Sequence, residues 1–222
     1  MDERLRVISL GKCRYKKALA IQHELLEKRQ KGDIGDTLIL VEHPPVITTG
    51  RNASKSNIIA SKEYLSENGI ELIETNRGGD VTYHGDGQLV GYPIFNLEDN
   101  KLGVRQFVEK LEQVFIDLLT EKYDVNATRH EQHRGVWVGN EKVVAIGIAV
   151  KQGVTMHGFA MNINTNLEHF KLIIPCGLAE MGVTSLQKQV GEKVDFQQAS
   201  SLVLEKICDT FEFNSYEKIE RN

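Results

Sequence analysis

Between Val136 and Ile163 three apolar runs follow one another with little but turn residues between them, and this stretch limits the possible folds most. Val136 to Val138, the Gly139-Asn140 turn signal and Val143 to Val150 predict a hairpin, which Gln152-Gly153 extends into Val154 to Ile163. Such a run places antiparallel strands at the centre of a sheet. The pattern from Val104 to Tyr123 adds a helix in which Val104, Phe107, Leu111, Phe115, Leu118 and Leu119 recur at i, i+3, i+4 spacing and must pack against that sheet. Hairpins together with separate helices predict an α+β fold, a mixed α/β sheet with flanking helices, rather than a doubly wound parallel sheet.

The rest of the chain fits that frame. Leu5 to Leu10 reads as a first strand, and Tyr15, Ala18, Leu19, Leu25 and Leu26 mark one side of a helix ending near Gly32. Leu38 to Val41 is a second strand stopped by Pro44-Pro45, Val46 to Thr49 resumes an extended segment, and the polar stretch Arg51 to Asn57 reads as a mobile loop. Ser61 caps a short helix that Gly69 ends, Ile70 to Thr75 returns as a strand, and Asp195 with Gln198 starts a last helix carrying Leu204, Ile207 and Phe211. With no internal repeat, low-complexity tract or long linker, one domain spanning residues 1–222 is expected.

Charge and cysteine usage exclude several functions. A net charge of −4 argues against nucleic-acid binding, which needs a clustered basic surface. Met1-Asp2-Glu3-Arg4 lacks the pattern of a secretory signal and Val143 to Val150 is too short to span a bilayer, so a cytoplasmic protein with no membrane partner is expected. Three cysteines at positions 13, 176 and 208 fit neither a disulfide framework nor a zinc pattern, and the histidines show no ligand spacing, so no metal is predicted.

The densest chemical signal is Arg77-Gly78-Gly79-Asp80-Val81-Thr82-Tyr83-His84-Gly85-Asp86-Gly87-Gln88-Leu89-Val90-Gly91-Tyr92, with five glycines in sixteen residues. Glycine lets backbone approach a ligand closely, while Arg77, Thr82, Tyr83, His84 and Gln88 supply donors. Composition alone fits a glycine-rich hairpin with surface polar groups equally well. A P-loop is absent, since no lysine follows in the required spacing. His84 and His157 read as structural residues, His84 positioning its own loop. Taken singly, Cys176 reads as a small core residue and Lys142 as a solvated one. Cys176 nevertheless lies between Pro175 and Gly177 after Ile173-Ile174, a setting that ends a strand and can present a side chain at a fixed angle. Cys13 and Cys208 lie in helical patterns and read as structural.

The segment from Arg77 to Tyr92 resembles the signature R-G-G-x-x-T-[FYW]-H-x-x-G-Q-x-x-x-Y of lipoyl(octanoyl) transferases at every fixed position. The similarity continues through Gly135-Val136-Trp137-Val138, Lys142 to Gly147, His157 to Ile163, Pro175-Cys176-Gly177 and Thr184-Ser185-Leu186. Asp86 departs from it, since the family usually has proline there. The resemblance implies a fold similar to biotin and lipoate protein ligase catalytic domains. It also implies a Cys176/Lys142 catalytic pair and an acyl site at Arg77, Gly78, Gly79, Asp80, Val81, Thr82, Tyr83, His84, Ala145, Ile146, Gly147, Gly158, Phe159 and Ala160. The implied reaction moves octanoyl from octanoyl-acyl carrier protein, through a Cys176 thioester, to a lysine of a lipoyl domain. The acceptors would be lipoyl domains of 2-oxoacid dehydrogenase complexes and the glycine cleavage H protein. No cofactor is implied, because the donor carries its own phosphopantetheine and neither ATP nor metal is needed. Two rivals share the pocket: an ATP-dependent lipoate-protein ligase, and a non-catalytic octanoyl or lipoyl binding protein. Ala145, Gly147, Gly158 and Ala160 are small, which suggests a narrow trough for the acyl chain, with close packing as the competing reason for their size.

Overall fold

The computed structural model of the chain describes residues 4–174 and 181–220. The chain opens with β1 (Arg4–Lys12), α1 (Tyr15–Gln30), β2 (Thr37–Glu42), β3 (Val46–Thr49), α2 (Lys62–Glu67), β4 (Glu71–Glu74), β5 (Val81–His84) and β6 (Gln88–Ile94). It continues with α3 (Val104–Tyr123), β7 (Thr128–Arg129), β8 (Val136–Val138), β9 (Glu141–Lys151), β10 (Val154–Asn162), β11 (Gly182–Val183), α4 (Leu186–Val190), α5 (Phe196–Phe211) and β12 (Ser215–Lys218). Among the described residues a large mixed sheet runs β12-β1-β2-β6-β10-β9-β8-β7, with β11 paired to β9, and a small sheet runs β4-β3-β5.

The expected antiparallel hairpins form, with β10 and β9 inside the large sheet and β8 next to its β7 edge. β10 pairs antiparallel with both β9 and β6, is buried along its whole length, and sets Gly158 opposite Gly147. Alternation of side chains divides the core into two faces. On β2, Leu38 and Leu40 point to the side covered by α3 and α5, while Ile39 and Val41 point to the side covered by α1. Phe107, Leu111, Phe115 and Leu118 of α3 are fully buried there, and each such side chain stabilises the fold by roughly 1.5–3 kcal/mol. Ser61 caps α2 by accepting the Tyr64 N–H, and Asp195 caps α5 by accepting those of Gln197 and Gln198.

Two expectations are corrected, and one of two open readings is closed. The glycine-dense segment is not a hairpin: β5 pairs with β3 in the small sheet, whereas β6 pairs with β2 and β10 in the large one. The turn at Gly85-Asp86-Gly87 therefore carries the chain between sheets. Gly87 has φ +77°, and a Cβ there would meet Asn164 O at 2.5 Å, so the switch is too tight for a side chain. Residues 51–57, expected as a mobile loop, are tied down, because Asp80 accepts hydrogen bonds from Ser54 N and Asn57 Nδ2. Cys13 lies just ahead of α1 rather than within it, and is buried. β12 was not anticipated, since Ser215-Tyr216-Glu217-Lys218 has no apolar alternation; it pairs in parallel with β1. No helix among the described residues is long and apolar enough to cross a membrane.

Candidate active site

The site begins with Arg77, a buried cation held by backbone. Its guanidinium donates to Thr48 O at 2.7 Å, Asp80 O at 2.7 Å, Gly78 O at 3.0 Å and Thr48 Oγ1 at 3.1 Å, so the loop after it curls around its own arginine. Gly78 N–H then donates to Ile148 O at 2.8 Å, which lays the loop across β9. A Cβ on Gly50 would meet Gly79 O at 2.3 Å, so a third glycine allows the small sheet to close on the same loop. These contacts join the small sheet to the large one.

A cavity of about 550 Å³ lies at that junction. Its wall includes Arg77, Gly78, Gly79, Asp80, Val81, Thr82 and His84, then Lys142, Ala145, Ile146 and Gly147, and then Gly158, Phe159 and Ala160. Its volume is in the range of a small-molecule site. Tyr83 is the exception among the expected acyl-site residues. Side chains alternate along β5, so Thr82 and His84 reach the cavity while Tyr83 turns into the core beneath the small sheet, where its hydroxyl pairs with His169 Nδ1 at 2.7 Å. Val81 sits at the start of the strand, where wall and core meet. Cys176 lies outside the described residues. Of the described chain on either side of it, Ile174 N–H donates to Asn57 O at 2.8 Å, and Thr184 N–H donates to O of the cavity-lining Lys142 at 3.0 Å.

The small residues of the wall have a reason other than room for a ligand. A Cβ on Gly147 would stand 2.8 Å from Gly78 O, and one on Gly158 would stand 2.1 Å from Gly91 O and 2.6 Å from Pro93 Cδ. Both glycines permit close backbone approach. The competing packing explanation therefore accounts for their size, although both also line the cavity.

A buried polar network forms part of the wall, through His84, Gln88, Tyr92, His157 and Asn162, and continues behind it to His43. His43 Nδ1 donates to Cys13 O at 2.6 Å, which leaves its Nε2 to accept from the Tyr92 hydroxyl at 2.7 Å. His84 Nδ1 donates to Gln88 Oε1 at 2.7 Å, and the Gln88 amide donates onward to Tyr83 O and Asn162 Oδ1. His157 Nε2 donates to Asn76 Oδ1 at 2.7 Å, and its backbone N–H donates to Gln22 Oε1 at 2.9 Å. These bonds fix three neutral tautomers. Burial pushes the imidazoles of His43, His84 and His157 down to about 4, 3 and 4. His157 also has φ +57°, a left-handed conformation inside a strand, which its backbone and ring bonds hold in place.

A pH dependence of stability follows. Above an unfolded histidine value of about 6.5, both states carry neutral rings and stability is complete. As pH falls below it, the unfolded chain takes up protons that the folded chain refuses, so stability declines toward the folded values near 4 and 3. Each ring then removes up to roughly 1.4 kcal/mol per pH unit. Urea midpoints should be clearly lower at pH 5 than at pH 7.5; equal midpoints would mean that the rings become protonated in place.

Several site residues had no clear signal in the sequence. Tyr15 reads as part of an apolar helix side, yet it lines the cavity and stacks on His84 with centroids 6.0 Å apart. A buried tyrosine hydroxyl needs a polar partner, and that was the available hint. Gln132, His133 and Arg134 also line the cavity, from a segment with no periodic pattern. Asp86, the departure from the family pattern, pairs with Lys12 Nζ at 2.9 Å, with both side chains largely exposed.

The chain is similar to known proteins in sequence and in fold. Residues 14–208 match the model of the lipoyl protein ligase A/B catalytic domain. The chain is 57% identical over 216 residues to a protein of Alkaliphilus metalliredigens named octanoyltransferase, covering 97% of this chain and 99% of the relative. Its backbone resembles a bipartite lipoate protein ligase of Thermoplasma acidophilum, with a TM-score of 0.76, 15% identity and coverage of 98% and 88%. It also resembles the biotin protein ligase of Aquifex aeolicus, with a TM-score of 0.53, 12% identity and coverage of 96% and 70%. At these identities the two structures speak for the fold alone.

Proposed function

Since the chain belongs to the lipoyl protein ligase A/B catalytic domain family, we propose that it is an octanoyltransferase of protein lipoylation acting through Cys176 and Lys142. The observation that carries this reading is the near full-length similarity to relatives bearing that name. Lys142 on the cavity wall supports it, as does the pairing of Val183 with Lys142, because Cys176 lies only a short way upstream of Val183.

In the proposed reaction the Cys176 thiolate attacks the carbonyl carbon of octanoyl-acyl carrier protein. The new C–S bond forms, the bond to the phosphopantetheine sulfur breaks, and that sulfur leaves as a thiol carrying the proton released by Cys176. One thioester replaces another, so no ATP is consumed. The amine of a lipoyl-domain lysine then attacks the acyl-enzyme, the C–S bond to Cys176 breaks, and an amide forms. The amine's proton returns to the Cys176/Lys142 pair, which acts as one titrating unit. Backbone N–H groups near Cys176 would serve the oxyanion.

The test is transfer onto a purified apo lipoyl domain. Octanoyl-acyl carrier protein without ATP should modify the acceptor lysine, whereas free octanoate with ATP should not. The reverse pattern would make the protein a ligase, and reversible binding with neither donor active would make it a binding module.

A prediction on chain length follows from the packing of Gly147. Because its Cβ would meet Gly78 O at 2.8 Å, Gly147→Val should displace the Arg77 loop rather than shorten a trough. Overpacking of this kind costs about 1–3 kcal/mol. Thermal denaturation should show that loss, and kcat/KM should fall alike for octanoyl and butanoyl donors. A selective loss for octanoyl would restore the trough.

A further inference from the structure

Lys142 rests against Trp137, a residue that does not line the cavity. Its Nζ lies 4.7 Å from the centroid of the Trp137 ring, within the range in which the negative face of an aromatic ring attracts an ammonium. The ring itself is fixed: Trp137 is 2% exposed, and its Nε1–H donates to His133 O at 3.3 Å. The stem of Lys142 passes Gly135, where a Cβ would stand 3.4 Å from Lys142 Cδ and 2.4 Å from Val144 O. The segment carrying Gly135 is held from below by Glu112 of α3, a carboxylate 1% exposed. Its Oε1 accepts the Gly135 N–H at 3.0 Å, and its Oε2 faces Arg129 Nε at 3.3 Å and Arg134 at 3.8 Å.

We infer that Trp137 is a positioning residue for Lys142, its indole face seating the lysine head at the cavity while Glu112 anchors the backbone beside the lysine stem. This inference rests on the acyl-transfer reading of Lys142. A lysine has several freely rotating stem bonds, and a base or electrostatic partner must be held near one geometry to act. The stem passes Gly135 at van der Waals distance, and the glycine itself is required by its φ of +118° and by the approach of Val144 O. The ring meets the lysine at its head.

The test compares Trp137→Phe, which keeps an aromatic face, with Trp137→Leu, which keeps apolar bulk without one. In single-turnover acylation by octanoyl-acyl carrier protein, Trp137→Leu should lower the maximal acylation rate roughly tenfold with the half-saturating donor concentration little changed, and Trp137→Phe should regain most of the loss. A purely structural role would give a loss that follows thermal stability rather than the aromatic face. Lys142→Ala, assayed alongside, separates the two levels of the argument. If Lys142→Ala transfers normally, the mechanism falls and this inference with it. If Lys142→Ala is inactive while a folded Trp137→Leu matches wild type, the inference alone is overturned. Should Trp137→Leu fail to fold, the contact remains testable in the wild-type background, because Trp137 is the single tryptophan of the chain. Lys142→Met should change its emission intensity or maximum, and an unchanged spectrum would overturn the inference.

Discussion

Cys176→Ala should abolish the covalent octanoyl-protein and reduce transfer by about a thousandfold or more, the scale seen when a nucleophile is removed. Cys13→Ala and Cys208→Ala should retain transfer. Both of these thiols are buried, and burial pushes Cys208 up to about 11, which leaves its thiolate scarce at neutral pH. The measurement is single-turnover acylation followed by intact mass, with circular dichroism confirming that each variant is folded. Wild-type turnover by Cys176→Ala would remove the covalent route and leave only direct attack of the acceptor lysine on the carrier thioester.

Lys142→Arg should fail nearly as severely although it preserves the positive charge. A guanidinium stays protonated at any accessible pH, so it cannot take the proton of the thiol or of the incoming amine. It is also larger and planar, and would have to repack against the Trp137 ring that the Lys142 ammonium faces at 4.7 Å. Removal of a general base commonly costs 10²–10⁴-fold, and a loss of about that size is expected in both half-reactions. The second half-reaction is the sharper one to follow, starting from preformed acyl-enzyme and adding apo lipoyl domain. A near wild-type rate there would show that Lys142 acts through its charge alone.

The parts of the fold legible in the sequence were those whose signals are local. The turns at Gly139-Asn140 and Gln152-Gly153 and the caps at Ser61 and Asp195 form as read, and α3 buries Phe107, Leu111, Phe115, Leu118 and Leu119 of its expected face while Val104, in its first turn, is exposed; each of these features depends on residues within a few positions of one another. The sheet assignment of β5 and β6 was not legible. Their separation depends on the fit of Gly87 against Asn164 and on pairing of β5 with β3, contacts between segments distant in sequence. The same holds for His43, which follows β2 without any distinguishing pattern yet ties Cys13 to Tyr92 behind the cavity. Spacing alone does not single out Lys142; its place between Gly135 and Trp137 emerges only once β8 pairs with β9. Tyr83 shows the limit of carrying a motif across residue by residue, since strand alternation turns one member of a contiguous signature away from the cavity.

The most direct test of the account is intact-mass spectrometry of the full chain mixed with octanoyl-acyl carrier protein in the absence of ATP and of any acceptor. The account predicts one octanoyl group per chain, labile to hydroxylamine as a thioester is, located on Cys176 by peptide mapping and discharged when apo lipoyl domain is added. Unmodified protein that still octanoylates the lipoyl domain under the same conditions would contradict it.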